Sequence, residues 1–200
     1  MTIAIVDYGA GNLTSVKKAR DSLGETVFIT CDSERVSRAD KLIVPGVGHF
    51  AATATLNTTG LRDAIRTAVA QGIPLLGICL GMQWMFRSST EAPDLAGLGI
   101  FSGECTHFPA EVKAPHVGWN QLELMGASSR LLNGIPAKAF VYFTHSYRIP
   151  VIEQTVATCE YGGLFSAVVE RDHVFGVQFH PEKSGSVGKK LLENFCRLPC

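Results

Sequence analysis

The first half of the chain alternates two hydrophobic periodicities. Four short runs, "TIAIVDY" from Thr2, "TVFIT" from Thr26, "KLIVPG" from Lys41 and "PLLGIC" from Pro74, are apolar at successive positions, as strands buried on both faces are. Between them lie stretches with apolar residues three and four apart. "LTSVKKARDSLG" reads as a helix ended by Gly24, and "LRDAIRTAVAQG" as a helix ended by Gly72. Strands alternating with amphipathic helices predict a parallel sheet covered on both sides.

The second half changes character. "AFVYFTHSYRI", "QTVATCEY", "FSAVVER" and "HVFGVQFH" are strand-like and closely spaced, which suits antiparallel pairs, and "GKKLLENFCRL" reads as a closing helix. "SSTEAPDLAGLG" is the nearest thing to a linker but is too short for a domain boundary. The expectation is a single three-layer α/β domain over residues 1–200. Its central sheet is mostly parallel with helices on both faces, and an antiparallel strand region follows in the second half.

Composition narrows the partners. The 200 residues are 46% hydrophobic and 18% charged, enough to bury a full core. Eighteen basic residues balance eighteen acidic ones, so there is no electrostatic footprint for nucleic acid or an anionic membrane surface. The N-terminal "MTIAIVDYGAGN" carries no basic lead-in and no long apolar core, and no run approaches the roughly 18 apolar residues a membrane helix needs. A cytoplasmic location is expected. Six cysteines, at 31, 79, 105, 159, 196 and 200, form no C-x-x-C, and no histidines stand at metal-ligand spacing beside them. They are expected to be reduced packing residues, with no metal and no cofactor.

Cys79 invites a different reading. "Gly77-Ile-Cys79-Leu-Gly81" is a G-x-C-x-G pattern between a strand and a helix-like "MQWMF". A nucleophile on such a turn stands above the carboxyl edge of the sheet, in strained backbone that glycine neighbours accommodate. A helix N-terminus there favours thiolate, and the N–H of Leu80 is free to face an oxyanion. The pattern alone fits a core cysteine equally well. In "GVQFHPEKS", His180 precedes Pro181 and is biased to extended backbone, which would project Glu182 to the same side. With Cys79 this makes a Cys–His–Glu arrangement in which the carboxylate fixes the imidazole tautomer. In "LIVPGVGHF", Gly46 and Gly48 form a loop at the same sheet edge, able to offer a second oxyanion donor from Val47. An ordinary βα turn would explain that loop as well.

These three pieces, in this order, resemble the class I (triad-type) glutamine amidotransferases over nearly the whole chain. That family has a flavodoxin-like fold. The phrases "DYGAGNLTSV", "PGVG", "GICLGMQ", "VGWN", "YFTHSY" and "GVQFHPEKS" are most similar to its branch of glutaminase subunits of imidazole glycerol phosphate synthases. The resemblance implies that Cys79 attacks the carboxamide of L-glutamine to form a thioester and release ammonia. It implies His180 as proton carrier, Glu182 as its support, and the N–H groups of Val47 and Leu80 as the oxyanion hole. Substrate contacts would come from Gly46, Gly48, Gln83, Thr144, His145, Ser146 and Tyr147. It also implies a heterodimer with a (β/α)₈-barrel cyclase of histidine biosynthesis, with Asn12, Trp119, Asn120, Tyr142 and Lys183 near the interface. A partner is expected on chemical grounds too, because ammonia released without an acceptor is wasted and one domain has no room for a second reaction. Trp119 and Tyr142 read equally well as half-core residues, and Lys183 as a solvated charge.

Other readings carry less. "IVDYGAGNLTSV" suggests a dinucleotide-binding turn with Asp32 about 20 residues on, but Thr14 occupies the third glycine position. His49, His107, His116 and His173 show no metal spacing, and His145 reads as a hydrogen-bonded structural residue. Rivals are a glutaminase subunit for anthranilate or pyridoxal phosphate synthesis, a cysteine hydrolase of the same fold, and a non-catalytic interaction domain.

Overall fold

The structure is a computed structural model and describes residues 1–11, 13–16, 26–126 and 128–199. Of the helix expected over residues 13–24, the described part is helical at 13–16. The rest, with Asn12 and Cys200, lies outside the described residues.

Five strands form the parallel half of an eight-stranded sheet. They are β1 (Thr2–Val6), β2 (Thr26–Thr30), β3 (Lys41–Gly46), β4 (Leu75–Cys79) and β13 (Val174–Val177), in the order β2-β1-β3-β4-β13. Every residue of β3, β4 and β13 is buried, as a sheet covered on both faces requires. The sheet continues antiparallel through β12 (Leu164–Arg171), β11 (Thr155–Glu160) and β8 (Glu123–Leu124). The expected parallel and antiparallel halves are therefore both present. One strand departs from expectation: β13 hairpins with β12 but runs parallel to β4, so the last strand joins the first half.

Alternation along each strand divides the core into two layers. Ile3, Ile5, Ile43, Leu76, Ile78 and Phe175 face one side, where helix α5 (Gly185–Arg197) adds Leu191, Leu192 and Phe195. Ala4, Val6, Leu42, Val44, Leu75 and Val174 face the other, where helix α3 (Leu61–Ala70) adds Leu61, Ile65 and Ala68. Helix α3 stops as its sequence foretells. Gly72 takes φ 87°, and the N–H groups of Gly72 and Ile73 donate back to the carbonyls of Val69 and Ala68. The buried Lys41 donates to the carbonyls of Cys196 and Leu198, tying the end of α5 to the sheet.

Short elements went unread in the sequence: α1 (Ser33–Ser37), α2 (Ala54–Thr58), β5 (Ser88–Ser89), β6 (Glu104–His107) and β7 (His116–Gln121). The run "AFVYFTHSYRI" splits into β9 (Phe140–His145) and β10 (Tyr147–Arg148). Neither joins the main sheet. β9 pairs antiparallel with β7, and β10 with β6. Among the described residues no helix is long and apolar enough to cross a membrane.

Candidate active site

Strand β4 leaves the sheet at Cys79. In register, Gly46 of β3 lies beside Cys79, and Val177 of β13 lies beside Ile78. Three chain segments therefore meet at one carboxyl edge: the glycine loop after β3, the turn at Cys79, and Gln178 to His180 just past β13.

Cys79 itself takes the backbone strain, at φ 52° and ψ −108°. Such a conformation costs on the order of 1–3 kcal/mol and persists only where its surroundings enforce it. The flanking glycines serve another purpose than the expected dihedral freedom, since neither has a positive φ. They are needed for space. A Cβ on Gly81 would lie 1.8 Å from the Val44 carbonyl oxygen, and one on Gly77 would lie 2.8 Å from the backbone of Gly81 and Met82. The helix that follows, α4 (Leu80–Trp84), has only five residues. The macrodipole expected from the sequence is correspondingly small, and stabilisation of a thiolate falls to the side chains around it.

His180 is extended, with φ −100° and ψ 96°, as the following proline demands. Pro181–Lys183 then form a 3₁₀ turn, so Glu182 reaches the imidazole by a tight turn and not by the expected extended alternation. His180 Nδ1 donates to Glu182 Oε1 at 2.8 Å, and both side chains are about 2% exposed. This leaves Nε2 as the nitrogen for the thiol side, where it completes no hydrogen bond of normal geometry. Burial opposes a charged imidazole here. The Cys79 sulfur beside the ring and the hydrogen-bonded, charged Glu182 carboxylate override it and push the His180 pKa up to about 10. The sulfur, imidazole and carboxylate that the sequence singled out thus lie together at one end of the sheet.

A cavity of about 250 Å³ opens over Cys79 and is lined by Gly48, Leu80, Gln83, Thr144 through Tyr147, Pro115 and Glu91. Of the substrate contacts expected, Gly46 alone stands off the wall; it packs beneath the loop, where a Cβ would strike the Tyr8 hydroxyl at 2.1 Å. Val47, 40% exposed, follows Gly46 in the loop and is not itself on the wall. Glu91 was not singled out from the sequence. Among the described residues it is the only Asp, Glu, Lys or Arg on the wall, where burial lowers the His145 pKa to about 3, and its Oε2 accepts from Phe50 N–H at 2.7 Å. It sits in the linker-like segment, whose composition carried no signal for it.

Gln178, fully buried, was also missed. Its Nε2 lies 3.6 Å from Cys79 Sγ, and its Oε1 accepts from Gln83 Nε2 at 3.1 Å. The signal was a lone amide inside the apolar run "VFGVQF". His145 lines the cavity and is itself held in a hydrogen-bonded chain. Its Nδ1 donates to the Tyr147 carbonyl, its Nε2 accepts from His116 Nδ1 at 3.3 Å, and His116 Nε2 accepts from Asn120 Nδ2 at 3.3 Å. His49 faces outward and caps the turn at Phe50–Thr53 by accepting from Ala51 N–H.

Of the expected interface residues, Asn12 lies outside the described residues. Trp119 is 55% exposed, which corrects its half-core reading. Its ring meets Tyr142 edge-on at 6.0 Å, and Lys183 Nζ lies 5.6 Å over the Tyr142 ring. Asn120 turns inward to His116 and the Glu160 carbonyl. The described cysteines are free thiols. Burial pushes Cys159 up to about 12 and raises Cys105 well above its usual value, so both stay protonated and unreactive at neutral pH. Among the described residues no group of three or more His, Cys, Asp or Glu could hold a metal ion.

Comparison with known proteins agrees with this geometry. The family described as glutamine amidotransferase class-I matches residues 4–198. Similar relatives include the imidazole glycerol phosphate synthase subunit HisH of Moorella thermoacetica, 48% identical over 98% of this chain and 94% of the relative. The same subunit from Methanocaldococcus jannaschii is 44% identical over 98% and 99%. Among solved structures, PurLQS from Thermotoga maritima superposes with TM-score 0.78 at 18% identity, over 98% of this chain and 97% of that one. A second, described as a glutamine amidotransferase, gives TM-score 0.75 at 21% identity, over 96% and 98%. The strained cysteine, the buried His–Glu pair and the matches along the chain lead to one conclusion: the chain belongs to the class I glutamine amidotransferases, in the group of imidazole glycerol phosphate synthase HisH subunits.

Proposed function

We propose that this chain is a glutaminase subunit which hydrolyses L-glutamine to glutamate and ammonia and passes the ammonia to a (β/α)₈-barrel cyclase making imidazole glycerol phosphate in histidine biosynthesis. Residues 1–200 act as one amidotransferase domain, in the cytoplasm, within a heterodimer. The observation that carries the reading is the buried His180–Glu182 pair beside Cys79, which itself lines a cavity of about 250 Å³. That volume falls just below the roughly 300 Å³ typical of drug-sized ligands and suits one amino acid better than a peptide, which argues against a peptidase of the same fold.

Cys79 Sγ, its proton passed to His180 Nε2, adds to the side-chain carboxamide carbon. The oxygen becomes an oxyanion held by the N–H groups of Leu80 and Val47. Collapse expels the amine with the proton from His180, leaving ammonia and a thioester. Water, deprotonated by His180, then adds to the thioester carbon and releases glutamate and the thiol. Loss of one oxyanion donor costs about 3 kcal/mol of barrier, roughly a hundredfold in rate, so the loop is part of the machinery. The single negative charge on the wall, Glu91, suits the substrate's α-ammonium, and Gln83 with the backbone of Thr144 to Tyr147 suits the rest.

The test is Cys79→Ala assembled with the cyclase. Glutamine-dependent synthesis should vanish while synthesis from added ammonium salts persists, because the partner makes the new bonds and needs only ammonia. Undiminished glutamine-dependent synthesis by this variant would overturn the reading.

A further inference from the structure

We propose that Gln178 is a positioning residue for the Cys79 nucleophile: a buried amide whose N–H is fixed toward the sulfur and favours its thiolate. The proposal deepens the reading above and rests on Cys79 being the nucleophile.

Gln178 is fully buried between Val177 and Phe179, where a leucine or methionine would pack without desolvating an amide. Its backbone needs no help from the side chain, since its N–H donates to the Ala167 carbonyl at 2.9 Å. The side chain must therefore be retained for what it touches. An amide can be turned either way, and here two further groups settle the direction. The Tyr147 carbonyl can only accept, so Gln83 presents its nitrogen to it, at 2.9 Å. The second hydrogen of that nitrogen goes to Gln178 Oε1 at 3.1 Å. With its oxygen thus engaged, Gln178 turns its NH₂ toward Cys79 Sγ at 3.6 Å.

This polarity discriminates between the two forms of the sulfur. A thiol donates, and an acceptor stands ready in the Thr144 carbonyl, 3.9 Å away. A thiolate accepts, and Gln178 N–H then becomes a charge-assisted hydrogen bond, stronger than any the neutral thiol receives. The helix after Cys79 has only five residues, so a fixed side-chain donor supplements what its dipole supplies. The other titratable groups around the sulfur are His180 backed by Glu182, the buried Tyr8 phenol, Cys105, and Glu91, His145 and Tyr147 on the cavity wall. All of them stay in place when Gln178 is replaced.

The test follows alkylation of Cys79 by iodoacetamide in the full chain, across the neutral and alkaline range, with the modified peptide quantified by mass. In the wild type, Cys79 should react faster at neutral pH than the exposed Cys31. Gln178→Met should slow Cys79 about threefold to tenfold at neutral pH, a displacement of roughly half to one pH unit, while the plateau rate at high pH is kept. Gln83→Met, which frees the Gln178 amide to turn, should move the curve the same way by less. A packing role alone would change the amplitude or the stability and leave the midpoint in place. A Gln178→Met curve that superimposes on the wild type overturns the proposal. Should that variant not fold, an unmoved Gln83→Met curve overturns it equally. A wild-type Cys79 no faster than Cys31 would sink the nucleophile reading, and this inference with it.

Discussion

A buried imidazolium is costly, and the His180 and Glu182 side chains are each about 2% exposed. The carboxylate 2.8 Å from Nδ1 and the sulfur on the other side are what make the charged form tolerable, and the His180 pKa is pushed up to about 10. An imidazolium that persists above neutral pH keeps a proton ready for the leaving amine across the alkaline range. Glu182→Gln keeps an oxygen for Nδ1–H but removes the charge, so burial then lowers the His180 pKa. The alkaline limb of kcat should move down by at least about one pH unit, and kcat should fall about a hundredfold or more. Stability follows the same linkage. A group whose pKa rises on folding stabilises below its ordinary value, here 6.5, and that share is lost as pH climbs from there to about 10. In Glu182→Gln the loss over this window should shrink, as urea melts at neutral and alkaline pH would read. At this scale Cys79, His180 and Glu182 stood out in the sequence because Gly77, Gly81 and Pro181 punctuate them. Glu91 and Gln178 were not, since a carboxylate in a polar segment and an amide in a strand carry no local mark of the cavity they meet in.

At the scale of elements, β1 to β4 were legible because they are written as apolar runs, β13 was read as a strand but not as a parallel one, and Gly72 ends α3 where its sequence says. β7 was not legible. Gly118, at φ 136°, interrupts its alternation, and its inward residue at the start is a polar His116. That histidine reveals what the β7–β9 pair is for. Asn120 donates to His116, His116 to His145, and His145 to the Tyr147 carbonyl, a one-way chain that requires both imidazoles neutral. Burial keeps them so, lowering the pKa of His116 to about 4 and that of His145 to about 3. For a histidine lowered on folding, stability is intact above 6.5 and drains away as pH falls toward the folded value, because the unfolded chain binds the proton first. This window lies wholly below that of His180, so the two effects separate. In His116→Phe the protein should be less stable at neutral pH, with a shallower decline between about 6.5 and about 4. The slope should be smaller by about one proton, read from urea midpoints against pH. An unchanged slope would mean that His116 takes up its proton without unfolding.

For the whole molecule, the question is how a partner could sense or alter a site enclosed at the sheet edge. The β7–β9 pair stands off the main sheet and exposes Val117, Trp119 and Phe140, each more than half accessible. An aromatic and aliphatic face of this kind has the chemistry association surfaces use, and it is where we place the proposed partner. It is wired to the triad through backbone. His180 N–H donates to the Tyr142 carbonyl at 2.9 Å, Tyr142 N–H donates to Ser184 Oγ at 3.0 Å, and Ser184 Oγ donates to the His180 carbonyl at 2.7 Å. Lys183, adjacent in sequence to Glu182, lies over the Tyr142 ring that Trp119 also meets. A cyclase seated on this face would therefore press on the same turn that holds the imidazole, and the glutaminase should be faster with its substrate-loaded partner than alone. Trp119→Ala removes the exposed centre of the face without opening the core. The variant should fold with an unchanged melting temperature, bind the cyclase at least about thirtyfold more weakly, a loss of roughly 2 kcal/mol expected of a buried interface tryptophan, and lose most of the partner's stimulation. Ammonium-driven synthesis by the cyclase should be unaffected, since that reaction bypasses the glutaminase. Titration calorimetry with the cyclase decides it. Wild-type affinity in Trp119→Ala would move the interface elsewhere on the molecule and cut the link drawn here between the β7–β9 face and the triad.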